Sequence, residues 1–457
     1  MTPEYVSFLA KKAVIAPSRG LDAAPALADH LFPFQRLCVE FALKVGCVGI
    51  YLDTGLGKTL VQLEWAKHAA EHSNGRALIL TPLAVAKQIE REAARFGYDA
   101  RVIRDQAEIR SGINICNYDR IDKLDPAAFG AVSLDEASIL KSFTGKTTRA
   151  LITAFSAHRW KMCATATPAP NDHMELGQQC EFLSVMASNE MLMRWFIADQ
   201  TEMGRYRLKG HAVGSFWDWM ASWARMGEKP SDLGDSDNGF VLPPLEIVRH
   251  RAAGQPIEAG DDDLFGTATM SATTMHDVKR QTIAARADAA GALVAAEAGE
   301  SWVIWCDTDY EADALKAAVP SAIEVRGSQS VDEKEERLAA FASGAAKHLI
   351  AKPSMCGFGL NWQHAARMAF VGRSYSYETY YQAVRRCWRY GQQRTVKVHL
   401  IVADGEDTIG RVIERKSEDH LKMKAAMRKA MIGARGQSAA VKVPYDPRHE
   451  ARLPVWL

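Results

Sequence analysis

In the first part of the chain, short β-branched or aliphatic runs alternate with longer stretches of helical periodicity. The runs are CVGIYL at 47, RALILT at 76, GINIC at 112, GAVSL at 130 and WKMCAT at 160. Apolar strands separated by helix-length segments imply βαβ units and a parallel sheet. The pattern returns as WVIWC at 302, AIEV at 322, HLIA at 348, RMAFVG at 367 and TVKVHLIV at 395, which predicts a second α/β domain. Between roughly 172 and 280 the periodicity weakens. Tryptophans stand there at 195, 217, 219 and 223, followed by the stretch GEKPSDLGDSDNGFVLPP. The expectation is a helical insertion and then a linker. Phe216, Trp217, Met220 and Trp223 fit helical spacing and are expected to dock the insertion on a lobe, the alternative being an aromatic wedge that stacks on bases.

After Gly410 the chain reads as helical and basic. Arg411, Arg415, Lys416, Lys422, Lys424, Arg428, Lys429 and Arg435 face only Glu414, Glu418 and Asp419. Taken alone, such a charge run is a solvated helix face, with DNA contact as the alternative. Over the whole chain the balance is even: 56 Lys and Arg against 55 Asp and Glu give a formal charge of +1. This excludes a uniformly basic nucleic-acid coat and an acidic disordered chain, so any basic surface is local. With 457 residues and 47% hydrophobic content the composition is globular. No apolar run approaches the ~18 residues that span a bilayer, and Lys11 and Lys12 interrupt the N-terminal stretch, so no membrane association and a cytoplasmic location are expected. Cysteines 38, 47, 116, 163, 180, 306, 356 and 387 lie far apart without a Cys-x-x-Cys pair, which reads as reduced thiols.

The segment YLDTGLGKT places Gly55, Gly57, Lys58 and Thr59 directly after a strand and before a helix. In that context backbone N–H groups face a phosphate chain, Lys58 neutralises the β/γ-phosphates and Thr59 ligates Mg²⁺. Leu52 stands where the strict pattern has its first glycine, and a Gly-rich turn with an incidental lysine is the plain alternative. AVSLDEAS ends a strand with Asp135 and Glu136, at the edge where ligands of parallel sheets gather. Asp135 would hold Mg²⁺ through water while Glu136 orients or deprotonates the attacking water. In the second domain YYQAVRRCWRYGQ sets Gln382, Arg386 and Arg389 at helical spacing, so one helical face would bring both arginines to a phosphate chain.

These segments, in this order, resemble the superfamily-two helicases and translocases, specifically their Swi/Snf-like branch. LFPFQ resembles the nucleotide-recognition motif with Gln35 on adenine, DTGLGKT motif I, LTPLAVAKQIERE motif Ia and NYDRI motif Ib. DEASILKS resembles motif II and TATPAPN, from Thr165 to Asn171, motif III. RGSQS with Arg337 and Phe341, then GFGLNWQHA, then QAVRRCWRYGQ resemble the second-lobe motifs. The chain departs from the pattern at Ser138, where relatives carry histidine, and at Met355 and Cys356, which replace Ala-Gly.

The resemblance implies two tandem RecA-like parallel-sheet domains with a helical insertion and linker and a basic helical C-terminal segment. The expected divisions are 1–171 for the ATP-binding lobe, 172–280 for insertion and linker, 281–410 for the second lobe and 411–457 for the basic segment. It further implies ATP and Mg²⁺, and a groove along one nucleic-acid strand lined by Pro82, Lys87, Gln88, Asn117, Tyr118, Arg326, Ser328, Lys352, Ser354 and Asn361. The implied activity is a DNA-stimulated ATPase translocating along double-stranded DNA, of the compact kind found in bacteriophages and bacteria. The alternatives are a strand-separating helicase on single-stranded or forked DNA or RNA hybrids, and a nucleotide-switched scaffold for a methyltransferase or nuclease partner.

Overall fold

The computed structural model describes residues 15–198, 206–252, 279–356, 361–402 and 407–435. The expected residues 357 to 360 of motif V, most of the linker after 252 and the chain after 435 lie outside them. Strands β1 (Cys47–Leu52), β2 (Arg76–Thr81), β3 (Ala100–Val102), β4 (Gly112–Asn117), β5 (Ala131–Asp135) and β6 (Trp160–Ala164) build the first lobe. A hairpin, β7 (Phe196–Ala198) with β8 (Tyr206–Leu208), precedes β9 (Ala224–Gly227). The second lobe uses β10 (Leu245–Arg251), β11 (Trp302–Trp305), β12 (Ile323–Val325), β13 (His348–Ala351), β14 (Arg367–Phe370) and β15 (Val396–Val402).

The first sheet has the order β3-β4-β2-β5-β6-β1-β9 and the second β10-β15-β14-β11-β13-β12. Every pairing in both is parallel. This is the tandem RecA-like architecture. The continuous apolar runs have their physical reason here: β1, β5 and β6 are buried at every position because helices cover both sheet faces. Parallel strands also share one carboxyl edge, so the residues following β1, β2, β4, β5 and β6 converge. Register fixes the level, with Asp135 opposite Ala164 and Ile50 opposite Ala164 on its other side.

The segment 172 to 280 departs from a plain insertion and linker. It is helical over Leu176–Phe182, Ser188–Trp195 and Val213–Trp223, but it also supplies β9 to the edge of the first sheet and β10 to the edge of the second. The first sheet therefore extends past residue 171. One of these edge strands is only four residues long and carries Arg225, and the other is mostly exposed with four polar or charged residues among its seven, so neither shows clear hydrophobic alternation. Phe216, Trp217, Met220 and Trp223 are buried in the first lobe's core, the docking role their spacing predicts, and Trp195 and Trp219 are buried with them. Trp195 stacks on Trp219 at 4.5 Å between ring centroids.

The basic helix is present, spanning Asp407–Arg435, but it is not simply a solvated face. Arg411, Arg415, Lys422 and Lys429 are exposed, whereas Lys424 is buried and Arg428 pairs with Asp232 at 3.1 Å. Among the described residues no helix is long and apolar enough to cross a membrane. Seven described cysteines are free and buried.

Candidate functional site

The loop after β1 turns into the helix Lys58–Glu71 through two glycines with positive φ. Gly57 caps that helix at φ 74°, ψ 37°, a left-handed conformation that disfavours any Cβ, and a Cβ there would run into Gln35 Nε2. Gly55, at φ 93°, lies under the Tyr390 ring. No side chain caps the helix start, so its N-terminal dipole faces the cleft without competition from a capping side chain. Lys58 donates from Nζ to the Leu52 carbonyl at 2.9 Å. Burial lowers its pKa, opposed by Glu136, Asp53 and Asp135. Thr59 follows at the first turn. Gln35 is buried beneath the loop, donating to the Leu56 carbonyl at 3.0 Å and accepting from Phe32 N at 3.1 Å.

At the end of β5 the two acids part company. Asp135 accepts from Gln62 Nε2 at 2.9 Å and Thr81 Oγ1 at 3.0 Å, and Tyr118 donates to its carbonyl at 2.7 Å. Glu136 adopts φ 54°, ψ 57°, a left-handed backbone that costs a non-glycine residue about 1–2 kcal/mol. Strain of this kind gathers at functional sites, and here it turns the side chain toward Thr165, whose Oγ1 donates at 3.0 Å. Burial raises the Glu136 carboxyl to about 7, with Lys58 and Arg386 lowering it and Asp135 raising it. A carboxyl held there is matched to proton abstraction near neutral pH.

The second lobe reaches this edge through the helix Tyr377–Val384 and the turn that follows it. The sequence spacing predicts one helix through Arg389; instead the helix stops at Val384, and Arg386 and Cys387 make tighter i−3 hydrogen bonds at 3.2 and 3.3 Å. Arg386 nevertheless folds back one turn, donating to Gln382 O at 2.9 Å and Gln382 Oε1 at 2.8 Å. Gln382 thereby positions Arg386 within the protein. Burial and Arg389 push Arg386 down to about 9, with Glu136 opposing, so it remains a cation at neutral pH. Arg389 stands apart: its neighbouring anion is Glu92 of the helix Ala86–Arg95.

Sequence reasoning missed the closest inter-lobe contacts. Glu378 pairs with Lys141 at 2.7 Å and accepts from Thr167 at 3.4 Å. Arg385 donates to the Thr54 carbonyl at 2.8 Å and pairs with Asp53 at 3.3 Å, and the Tyr381 hydroxyl donates to Asp53. All seven of these residues except Glu378 lie within motif-like segments, but sequence order alone does not show which side chains meet across the cleft.

Residues 285–391, which contain this arginine-bearing element, match the helicase conserved C-terminal domain. The second lobe thus carries a helicase C-terminal domain. Among solved structures, the chain is similar to the Sulfolobus solfataricus SWI2/SNF2 ATPase core, solved in complex with dsDNA. That likeness has 18% identity over 92% of this chain and 98% of that chain, with a TM-score of 0.40. A comparison with curated protein sequences finds no match.

A cleft of about 800 Å³ opens beside Glu136. Pro82, Lys87, Gln88 and Tyr118 line it from the first lobe, and Ser354 and Asn361 from the second. Other expected groove residues are placed differently. Arg326 is engaged by Asp313 at 2.6 Å and Glu324 at 2.8 Å, and Lys352 by Asp309 at 2.9 Å. Asn117 is buried and Ser328 is exposed outside the cleft lining, while Tyr118 lines the cleft with its hydroxyl committed to the Asp135 carbonyl. Ser138, at the position where histidine was expected, is buried but contributes to the cleft.

Proposed function

We propose that the enzyme hydrolyses ATP between its lobes and uses closure of the cleft to move along double-stranded DNA. The observation that carries this reading is that one cleft holds Glu136 together with phosphate-contacting side-chain types from both lobes. Beside that cleft, at the loop after β1, Lys58 would neutralise the β/γ-phosphates, the uncapped helix start would receive them, and Gln35 would lie on the side of the base. Glu136 orients and deprotonates the attacking water, and Arg386, held by Gln382, stabilises charge that develops in the transition state. Arg389 acts as a second cation of the closed cleft. Thr59 and, through water, Asp135 would hold Mg²⁺. The hard cation would supply charge neutralisation at the phosphates, and a site with one hydroxyl and one carboxylate suits an ion that keeps most of its waters. The segments 1–171, 172–280, 281–410 and 411–457 then serve as motor lobe, docked insertion and linker, second motor lobe and C-terminal segment, with edge strands from the insertion and linker completing both sheets.

Phosphate contacts carry no sequence information and grip one strand without parting it from its partner. The burial of Trp217 and Trp219 removes the Trp-rich segment as an exposed wedge. Duplex DNA is therefore expected to stimulate ATP turnover at least as well as single-stranded or forked DNA or RNA. ATP-dependent displacement of the third strand of a triplex is expected, with little unwinding of a blunt duplex. Robust fork unwinding without triplex displacement would establish the strand-separating alternative. Nucleotide-dependent DNA binding with negligible turnover would establish the scaffold, recruiting a methyltransferase or nuclease.

The pH dependence of turnover follows from Glu136. The base acts deprotonated, so kcat/KM for ATP is expected to rise about tenfold per pH unit below about 7 and to level off above it. A profile flat between pH 6 and 8 would remove Glu136 from proton transfer.

A further inference from the structure

The helix Asp407–Arg435 straps the two lobes together. Its first turns pack Ile409 and Ile413 against Tyr377 of the second lobe, and Glu414 pairs with Arg249 of β10. Its later turns bury Met423, Met427 and Met431 in the first lobe's core. Between these anchors Lys424 lies 3.1 Å from Glu228 Oε1 and 3.8 Å from Asp53 Oδ2, with its side chain 5% exposed. Asp53 stands two residues ahead of Gly55, in the phosphate loop itself. Its backbone N donates to Gly227 at 2.9 Å, and its Oδ1 accepts from Thr54 N at 2.6 Å. Burial would raise this carboxyl, but Arg385 and Lys424 outweigh burial and hold it well below the usual carboxylate range.

We propose that Lys424 is a positioning residue for the nucleotide: through Asp53 it fixes the phosphate loop in the shape that receives the phosphates, without touching them. The inference rests on the reading of that loop as the ATP site. Arg385 and Tyr381 also hold Asp53, but they belong to the second lobe and withdraw when the cleft opens. Lys424 rides on the part of the strap embedded in the first lobe. It stays with Asp53 in the open state, where ATP is captured. A buried carboxylate that kept no cation there would pull toward water and take the loop with it.

Lys424→Met in the full chain is therefore expected to raise KM for ATP about tenfold, within the usual span of coupling between linked sites, while kcat changes less than about twofold. Lys424→Arg should restore KM. Asp53→Asn should raise KM similarly, and the double variant should be no worse than either single one, because both remove the same interaction. Arg428→Gln breaks the neighbouring strap contact to Asp232 without reaching Asp53 and should leave KM unchanged. Lys424→Gln, which keeps a polar side chain, replaces the methionine variant if that one does not fold. Unchanged KM in the Lys424 variants, additive effects with Asp53→Asn, or an equal rise in Arg428→Gln would overturn the proposal. Lys58→Ala separates the two levels. If it leaves ATP binding intact, the loop assignment has failed. If it abolishes binding while Lys424→Met changes nothing, the failure belongs to the strap alone.

Discussion

Glu136→Gln is expected to bind ATP as the wild type does and to turn it over about 10²–10⁴-fold more slowly, the range that a positioned general base contributes. The amide preserves shape and can still accept from Thr165, but it cannot take a proton. Neither Lys58 nor the uncapped helix start is altered, so the phosphates keep their ground-state contacts. The change also removes a charge from a crowded site, where Asp135 and Glu136 share the Lys58 cation, and binding could tighten slightly. Nucleotide titration and steady-state turnover on the same preparation check both halves. Wild-type turnover would move the base elsewhere; lost binding would show that Glu136 holds nucleotide or the fold instead of the water.

Arg386→Ala is expected to lower kcat by about 10³-fold with KM for ATP little changed, the signature of an interaction made in the transition state after closure. Arg389→Ala should cost less, because its neighbouring anion is Glu92 while Arg386 is the arginine that acts on Glu136. Gln382→Ala should resemble a weaker Arg386 variant, since it frees the guanidinium that Gln382 Oε1 holds at 2.8 Å. Single-turnover kinetics distinguish these outcomes. If Arg386→Ala raised KM alone, the residue would be a binding cation and not a transition-state one.

The parallel α/β class follows from little more than apolar runs at helix-length intervals, and ten such runs are strands where the spacing places them, whereas the order of the strands in each sheet is shown by the structure. β3 and β9 were hidden because they are three- and four-residue edge strands with polar Arg101 and Arg225 in them, and β10 because its seven residues are mostly exposed and include Glu246, Arg249, His250 and Arg251. In the candidate site, Asp135 and Glu136 stand at and just after a strand end, and Lys58 opens the helix after a glycine-bounded loop, the local positions that the sequence predicts for them. The strain at Glu136 was not, since nothing in Asp-Glu-Ala-Ser demands φ 54°. Nor were the pairings of Arg326 and Lys352 with acids, which arise from side chains brought together by the fold. The charge run after Gly410 misled for a related reason: Lys424 and Lys422 look alike in sequence, yet one is buried against the phosphate loop and the other exposed.

The helix Tyr377–Val384 is about 12 Å long at 1.5 Å per residue, short enough to move as one rigid piece. It and its terminal turn touch the segment after Asp135 and Glu136 through Glu378, the phosphate loop through Tyr381 and Arg385, and the hydrolytic carboxylate's surroundings through Arg386. These contacts must arrive and depart together, so partial docking offers no intermediate catalytic strength. On the function proposed above, this arrangement has the logic of a multi-key lock: a half-shut cleft would leave ATP intact, and each hydrolysis event would be tied to one completed closure.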